Sequence, residues 1–155
     1  LNAVGDVIGI NTAVATDSNG IGFAIPIDIA RPIMRQALAG QQLSRPYIGI
    51  RYVAIDRQVQ EDEHLSVAEG ALVADAQSST GATLPAVVPD GPAAKAGLQK
   101  GDIVVSIGGQ KIDAEHPLDL VLLSFAPGQS VELELLRGTA TVKVNVTLGT
   151  RPADL

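Results

Sequence analysis

Pro92-Ala93-Ala94-Lys95-Ala96-Gly97-Leu98-Gln99-Lys100-Gly101-Asp102-Ile103-Val104 is the stretch whose reading decides the fold. Pro92 presets the first position of a one-to-two-turn helix, and Gly97 ends it. Gly101-Asp102 leads into a strand over 103–107, and Gly108-Gly109 supplies the positive φ angles of a tight hairpin before Gln110-Lys111-Ile112. Pro117 opens a second helix over 117–125 with Leu118, Val121, Leu122 and Phe125 on one side, and Pro127-Gly128 breaks it. Strands over 130–136 and 141–148 meet at Arg137-Gly138. Upstream, residues 47–55 read as a strand with Gly49 near its start, and 56–65 as a short helix carrying Glu61-Asp62-Glu63. Residues 70–75 read as another strand, and 77–85 as a polar Ser/Thr/Gly-rich insertion. This part is mainly β with short helices, an α+β pattern.

Composition narrows the function. Of 155 residues, 46% are hydrophobic and 18% charged, which suits a packed core and excludes a disordered chain. The aromatics are few (Phe23, Tyr47, Tyr52 and Phe125), so the core rests on Val, Ile, Leu and Ala. With no Cys, disulfides, thiolate zinc sites and cysteine nucleophiles are all excluded. A net charge of −6 without a Lys/Arg cluster argues against a nucleic-acid partner and against contact with anionic membranes. No apolar run approaches the ~20 residues that span a bilayer. The chain opens on Leu1-Asn2-Ala3 with neither a methionine nor a leader pattern, and it reads as a piece of something longer.

Ahead of this part, strands are expected over 7–12 and 21–25, with a loop tip at Asp17-Ser18-Asn19-Gly20 and Pro26 closing the second strand. A helix then starts near Asp28, whose carboxylate suits a cap, with Pro32 near its first turn. Ile33, Met34, Ala37 and Leu38 form its apolar stripe, and Gly40 ends it. Residues 41–46 read as a linker, so the expected division is 1–43 and 44–155. Two strands alone expose unpaired edges. Their cover is expected from the helix, from the second part or from another chain.

The ordered set of proline-started mini-helix, glycine cap, Gly-Asp, strand, Gly-Gly hairpin and longer helix resembles a bacterial-type PDZ domain over 47–148. Within it, Tyr47-Ile48-Gly49-Ile50 resembles the carboxylate-binding loop and the start of the groove strand. The first part, Gly5-Asp6-Val7-Ile8-Gly9-Ile10-Asn11-Thr12 with Gly20-Ile21-Gly22-Phe23-Ala24-Ile25-Pro26, resembles the last strands and closing helix of the HtrA/DegP protease domain. The resemblance implies a PDZ-like, partly open β-barrel or sandwich preceded by the end of a trypsin-like β-barrel. It places the Gly-Asn-Ser-Gly-Gly nucleophile motif and the rest of a Ser-His-Asp triad upstream of Leu1. It also implies an exported parent, often membrane-anchored and homo-oligomeric. In that parent, Asn11-Thr12-Ala13 would pair with substrate backbone and residues 21–23 would wall the primary specificity pocket.

The fragment itself carries no expected catalytic residue. Serine catalysis needs a base in contact with the nucleophile and a carboxylate to orient the base. His64 lies in an acidic, solvated segment, and His116 precedes Pro117 at a helix start. Neither has a nucleophile turn beside it, and their spacing makes no metal site; no cofactor is implied. Asn145-Val146-Thr147 fits a glycosylation sequon by chance, mid-strand. Peptide binding is the better reading. Backbone donors of Tyr47, Ile48, Gly49 and Ile50 would take a C-terminal carboxylate while the peptide adds a strand along 50–55, Tyr52 included. The 117–125 helix forms the opposite wall, with Leu118 and Leu122 as pocket lining or core. His116 is the candidate for reading a hydroxyl side chain, by resemblance to eukaryotic PDZ domains. Arg45 and Arg51 flank the loop as candidate attractors of the anion, or as ordinary surface arginines. Expected partners are protein C-termini and extended segments of unfolded proteins. A non-proteolytic PDZ scaffold and a PDZ of another protease class stand as alternatives.

Overall fold

The computed structural model describes residues 1–14, 22–40 and 44–152. The expected loop tip at 17–20, the start of the second strand at Ile21, and 41–43 of the linker lie outside the described residues. The chain divides into two compact units, Leu1–Ser44 and Arg45–Leu155.

In the first unit, β1 (Gly9–Val14) pairs antiparallel with β2 (Gly22–Pro26), with a register shift between Asn11 and Ala13. Helix α1 (Ile27–Leu38) follows at once. It starts one residue before Asp28, with Pro26 as its cap. Pro32 therefore falls in the second turn rather than the first. The C-terminus is tied down by Gln36, whose side-chain amide both donates to Ser44 O (3.0 Å) and accepts from Ser44 N (2.8 Å). No described residue of this unit is buried. Ile8, Ile10, Phe23 and Ile25 stay exposed, so α1 does not supply the expected cover.

The second unit is mainly β with short helices. It runs β3 (Pro46–Tyr47), β4 (Tyr52–Ala54), α2 (Arg57–Asp62), β5 (Ala71–Val73), β6 (Ala76–Gln77), β7 (Thr83–Leu84) and α3 (Pro92–Lys95). Then follow β8 (Ile103–Ile107), β9 (Gln110–Lys111), α4 (Leu118–Leu122), β10 (Ser130–Arg137), β11 (Ala140–Thr147) and β12 (Gly149–Thr150). The main sheet has the order β11-β10-β8-β5-β4, with β9 paired to β8, and every pairing is antiparallel. The strand β4 is thus an edge.

Local chemistry explains the elements. Asp56 caps α2 by accepting from Val59 N at 2.8 Å. Gly108 and Gly109 both have positive φ (57° and 80°), the signature of a two-residue turn between β8 and β9. The helix α4 is shorter than the expected 117–125. Pro117 is its cap, and Ser124 Oγ donates to Val121 O at 2.5 Å, competing with the backbone where the helix stops. The 77–85 insertion is a small hairpin, β6 against β7, whose turn is held by Ser78 Oγ accepting from Ala82 N. Asp75 closes its neck by accepting from Ala86 N (2.8 Å) and Lys100 Nζ (2.6 Å). Past β11 the chain forms β12, which pairs with β3.

Alternation along β8, β10 and β11 brings Val104, Ile107, Leu133, Leu135 and Val146 together with Val73, Leu118 and Leu148 in one aliphatic core. The single buried polar residue among those described is Asp102, 1% exposed. Its carboxylate accepts Arg137 Nε (2.7 Å) and Nη2 (2.8 Å) as a fork, and Gln99 N at 2.8 Å. Arg137 Nη2 also donates to Gly97 O, so the end of β10 is locked to the turn between α3 and β8. A buried carboxylate is tolerated only with such partners. Arg137→Ala should therefore lower the urea unfolding midpoint more than Lys143→Ala, which breaks an exposed pair with Glu132. Equal shifts in the two variants would contradict this role for Arg137.

Candidate functional site

The expected continuous strand over 47–55 is interrupted at Gly49, whose φ of +83° turns the chain between β3 and β4. Only glycine adopts this backbone without cost, and the space is tight as well. A Cβ there would stand 3.4 Å from Pro92 Cδ and 3.4 Å from Tyr47 Cε1. The carbonyls of this turn are engaged: Ile48 O accepts from Ala93 N (2.8 Å) and Gly49 O from Val88 N (2.9 Å). Tyr47 pairs with Gly149. The amides of Ile48, Gly49 and Ile50 donate to no protein acceptor among the described residues. Three consecutive donors with a left-handed residue at their centre are an arrangement that can take an anion.

Beyond the turn, Ile50 bridges Val87, with Arg51 N donating to Ala86 O. Ala74 N donates to Arg51 O, and Ile55 N donates to Gly70 O. Antiparallel alternation then directs the backbone groups of Tyr52 and Ala54 away from β5, to the unpaired side of the sheet. The donors of the turn and an open strand edge are therefore continuous.

The other sequence-selected residues fall into place around this edge. Ile50 and Tyr52 are partly buried against the core. Leu118 is fully buried and Leu122 is 8% exposed, both within the aliphatic cluster. Tyr52 Oη donates to Asp119 Oδ1 at 3.0 Å, joining β4 to α4. Burial first, and the neighbouring Asp119 carboxylate second, push the Tyr52 phenol up to about 12. Sequence reasoning missed Asp119; its place in the first turn of the wall helix was the available signal. It also missed the Tyr47 hydroxyl, which is buried without a hydrogen-bond partner among the described residues. Arg51 Nη1 donates to Pro85 O at 2.6 Å, so this guanidinium is engaged at the foot of the β6–β7 hairpin. Arg45 is exposed, and its carbonyl accepts from Arg151 N.

His116 precedes α4 and is tied to Asp113, whose Oδ1 meets His116 Nδ1 at 2.9 Å and accepts from the His116 amide at 2.8 Å. No hydroxyl among the described residues bonds to the ring's other nitrogen, so the pair is not completed into a triad. His64 is exposed, with φ +52°. No metal-holding cluster occurs among the described residues.

Two predictions follow from this geometry. Gly49→Ala forces a left-handed alanine, which costs roughly 1–2 kcal/mol in stability, and it should weaken carboxylate binding in a calorimetric titration. Desolvation is the largest single influence on the Asp113 carboxyl and raises its pKa. The hydrogen bonds from the His116 ring and amide together outweigh it, leaving the carboxyl below its ordinary 3.8. The stability this group contributes is complete above 3.8 and is lost as pH falls through the lower folded value. Asp113→Asn should flatten that acid limb in urea titrations, and an unchanged limb would count against the Asp113–His116 pairing.

Residues 46–148 match the PDZ domain family. The chain is 35% identical over 154 residues to a probable periplasmic serine endoprotease DegP-like of Halomonas elongata, covering 97% of this chain and 30% of that protein. It is 34% identical over 146 residues to a putative serine protease HhoA of Synechocystis sp., covering 94% of this chain and 36% of that protein. It thus spans 30–36% of the length of these relatives. Among solved structures, HtrA-type protease AlgW with decapeptide superposes with a TM-score of 0.71 at 31% identity, covering 98% of this chain and 44% of that one. AlgW with tripeptide gives 0.70 at 31%, with 98% and 48% covered. The chain therefore belongs to the PDZ domain family over 46–148 and is an HtrA-family PDZ fragment, similar along nearly its whole length to part of these relatives.

Proposed function

We propose that the second unit is the peptide-recognition module of an HtrA-type serine endopeptidase that works outside the cytoplasm. It takes extended or C-terminal segments of unfolded proteins and presents or senses them for the parent protease. The ligand's terminal carboxylate sits on the amides of Ile48, Gly49 and Ile50, and its chain adds antiparallel to the β4 edge. Ile50 and Tyr52 meet its side chains on the face towards α4, with Leu118 and Leu122 beneath as an apolar floor. His116, at the mouth of α4, faces the ligand with its exposed ring edge. The parent hydrolyses peptide bonds by an acyl-enzyme route, with its Ser-His-Asp residues outside this sequence.

The supporting observation is the run of three unengaged amides at a left-handed glycine, opening onto an unpaired strand edge. A carboxylate satisfies all three donors at once, and charge-assisted bonds of this kind are the strong ones. Relatives named as periplasmic endoproteases support the parent activity and its compartment. HtrA-type neighbours solved with a decapeptide and a tripeptide support a peptide ligand.

The test is fluorescence polarisation with a labelled octapeptide ending in valine, as the free acid and as the C-terminal amide. The free acid should bind, and amidation should weaken it by about tenfold or more. Equal affinity of the two forms would remove the carboxylate-seat mechanism.

A further inference from the structure

Resting on the peptide-binding reading, we propose that β12 is a strap for the carboxylate seat. By pairing with β3 it positions Tyr47 and Pro92, the two residues that flank the Gly49 turn. Gly149 is accordingly a positioning residue, and ligand affinity is linked to closure of the strap.

Shared contacts carry this inference. A Cβ at Gly49 would stand 3.4 Å from Pro92 Cδ and 3.4 Å from Tyr47 Cε1. A Cβ at Gly149 would stand 3.2 Å from Pro92 Cγ and 3.8 Å from Tyr47 Cδ1. The same two rings therefore border both glycines. Gly149 is not left-handed, so what position 149 demands of its residue is space rather than an unusual backbone. Tyr47, its partner in the β3–β12 ladder, immediately precedes Ile48, whose amide is the first of the three unengaged donors.

The strap is fastened unevenly. At its inner end Leu148 is buried, its amide donates to Gln129 O (2.9 Å) and its carbonyl accepts from Gly128 N (2.7 Å). Beyond Leu148 the strap is two residues long, and Thr150 is exposed. Its outer end is held by Arg151 N donating to Arg45 O at 3.0 Å. So short and exposed a ladder opens at small cost. Opening removes a neighbour from both rings that border Gly49, and the three amides lose their preset alignment. A carboxylate that takes all three donors binds the closed form better. The linkage is reciprocal, so a bound ligand also holds the strap closed.

The experiment uses the full chain and the labelled valine-ending octapeptide, as free acid and as amide. Gly149→Ala crowds Pro92, and Arg151→Pro removes the outer amide of the strap. Each should weaken the free acid by about threefold to tenfold and leave the amide peptide nearly unaffected, with cooperative urea unfolding verifying that the variants fold. Arg151→Ala, which keeps the amide, should lose less than Arg151→Pro. In the wild-type chain, saturating free acid should slow hydrogen exchange at the Arg151 amide by about threefold or more. Loss of both peptides alike in the folded variants, or exchange at Arg151 that ignores the ligand, overturns the strap. If the wild-type chain distinguishes acid from amide and the variants do so equally, the carboxylate seat stands without the strap. If the wild-type chain does not distinguish them, both readings fall together.

Discussion

The left-handed turn at Gly49 is the constraint on which the rest of the proposed recognition surface depends. Rotating the chain there sends the carbonyls of Ile48 and Gly49 inward, to the amides of Ala93 and Val88. The same rotation leaves the amides of Ile48, Gly49 and Ile50 without an internal acceptor. Buried or half-buried amides without partners are costly, which is why the proposed site pairs them with an external acceptor. A side chain at position 49 would meet Pro92 and the Tyr47 ring at van der Waals contact, so these two residues flank the turn.

The framework behind the turn is rigid for a different reason. An aliphatic core with very few aromatics has little shape specificity of its own, and here one buried ionic joint supplements it. Asp102 holds the fork of Arg137 and the amide of Gln99, fixing the mini-helix and its following strand to the far end of β10. That mini-helix begins with Pro92 and Ala93, the two residues that support the Gly49 turn. The geometry of the Gly49 turn is therefore tied, through a short series of contacts, to a charge pair on another part of the sheet.

The first unit presents the opposite situation. Its hairpin pairs well, yet Ile8, Ile10, Phe23 and Ile25 stay exposed, because one amphipathic helix cannot cover both faces of two strands.

Local chemistry along the chain was enough to determine the mini-helix at Pro92, the Gly108-Gly109 hairpin and the long β10–β11 pair, whereas the turn at Gly49 broke the single strand expected over 47–55. Each of the first three rests on a backbone preference or a periodicity that acts over a few residues. Only the tertiary structure decided which amides of that turn stay unengaged, that Arg51 is drawn away to Pro85, and that the tail returns to pair with Tyr47. It alone joined Tyr52 to Asp119, Asp102 to Arg137 and Asp75 to Lys100. These partners lie 25 to 67 residues apart, and no local preference encodes a contact that exists only once the sheet has brought its strands together.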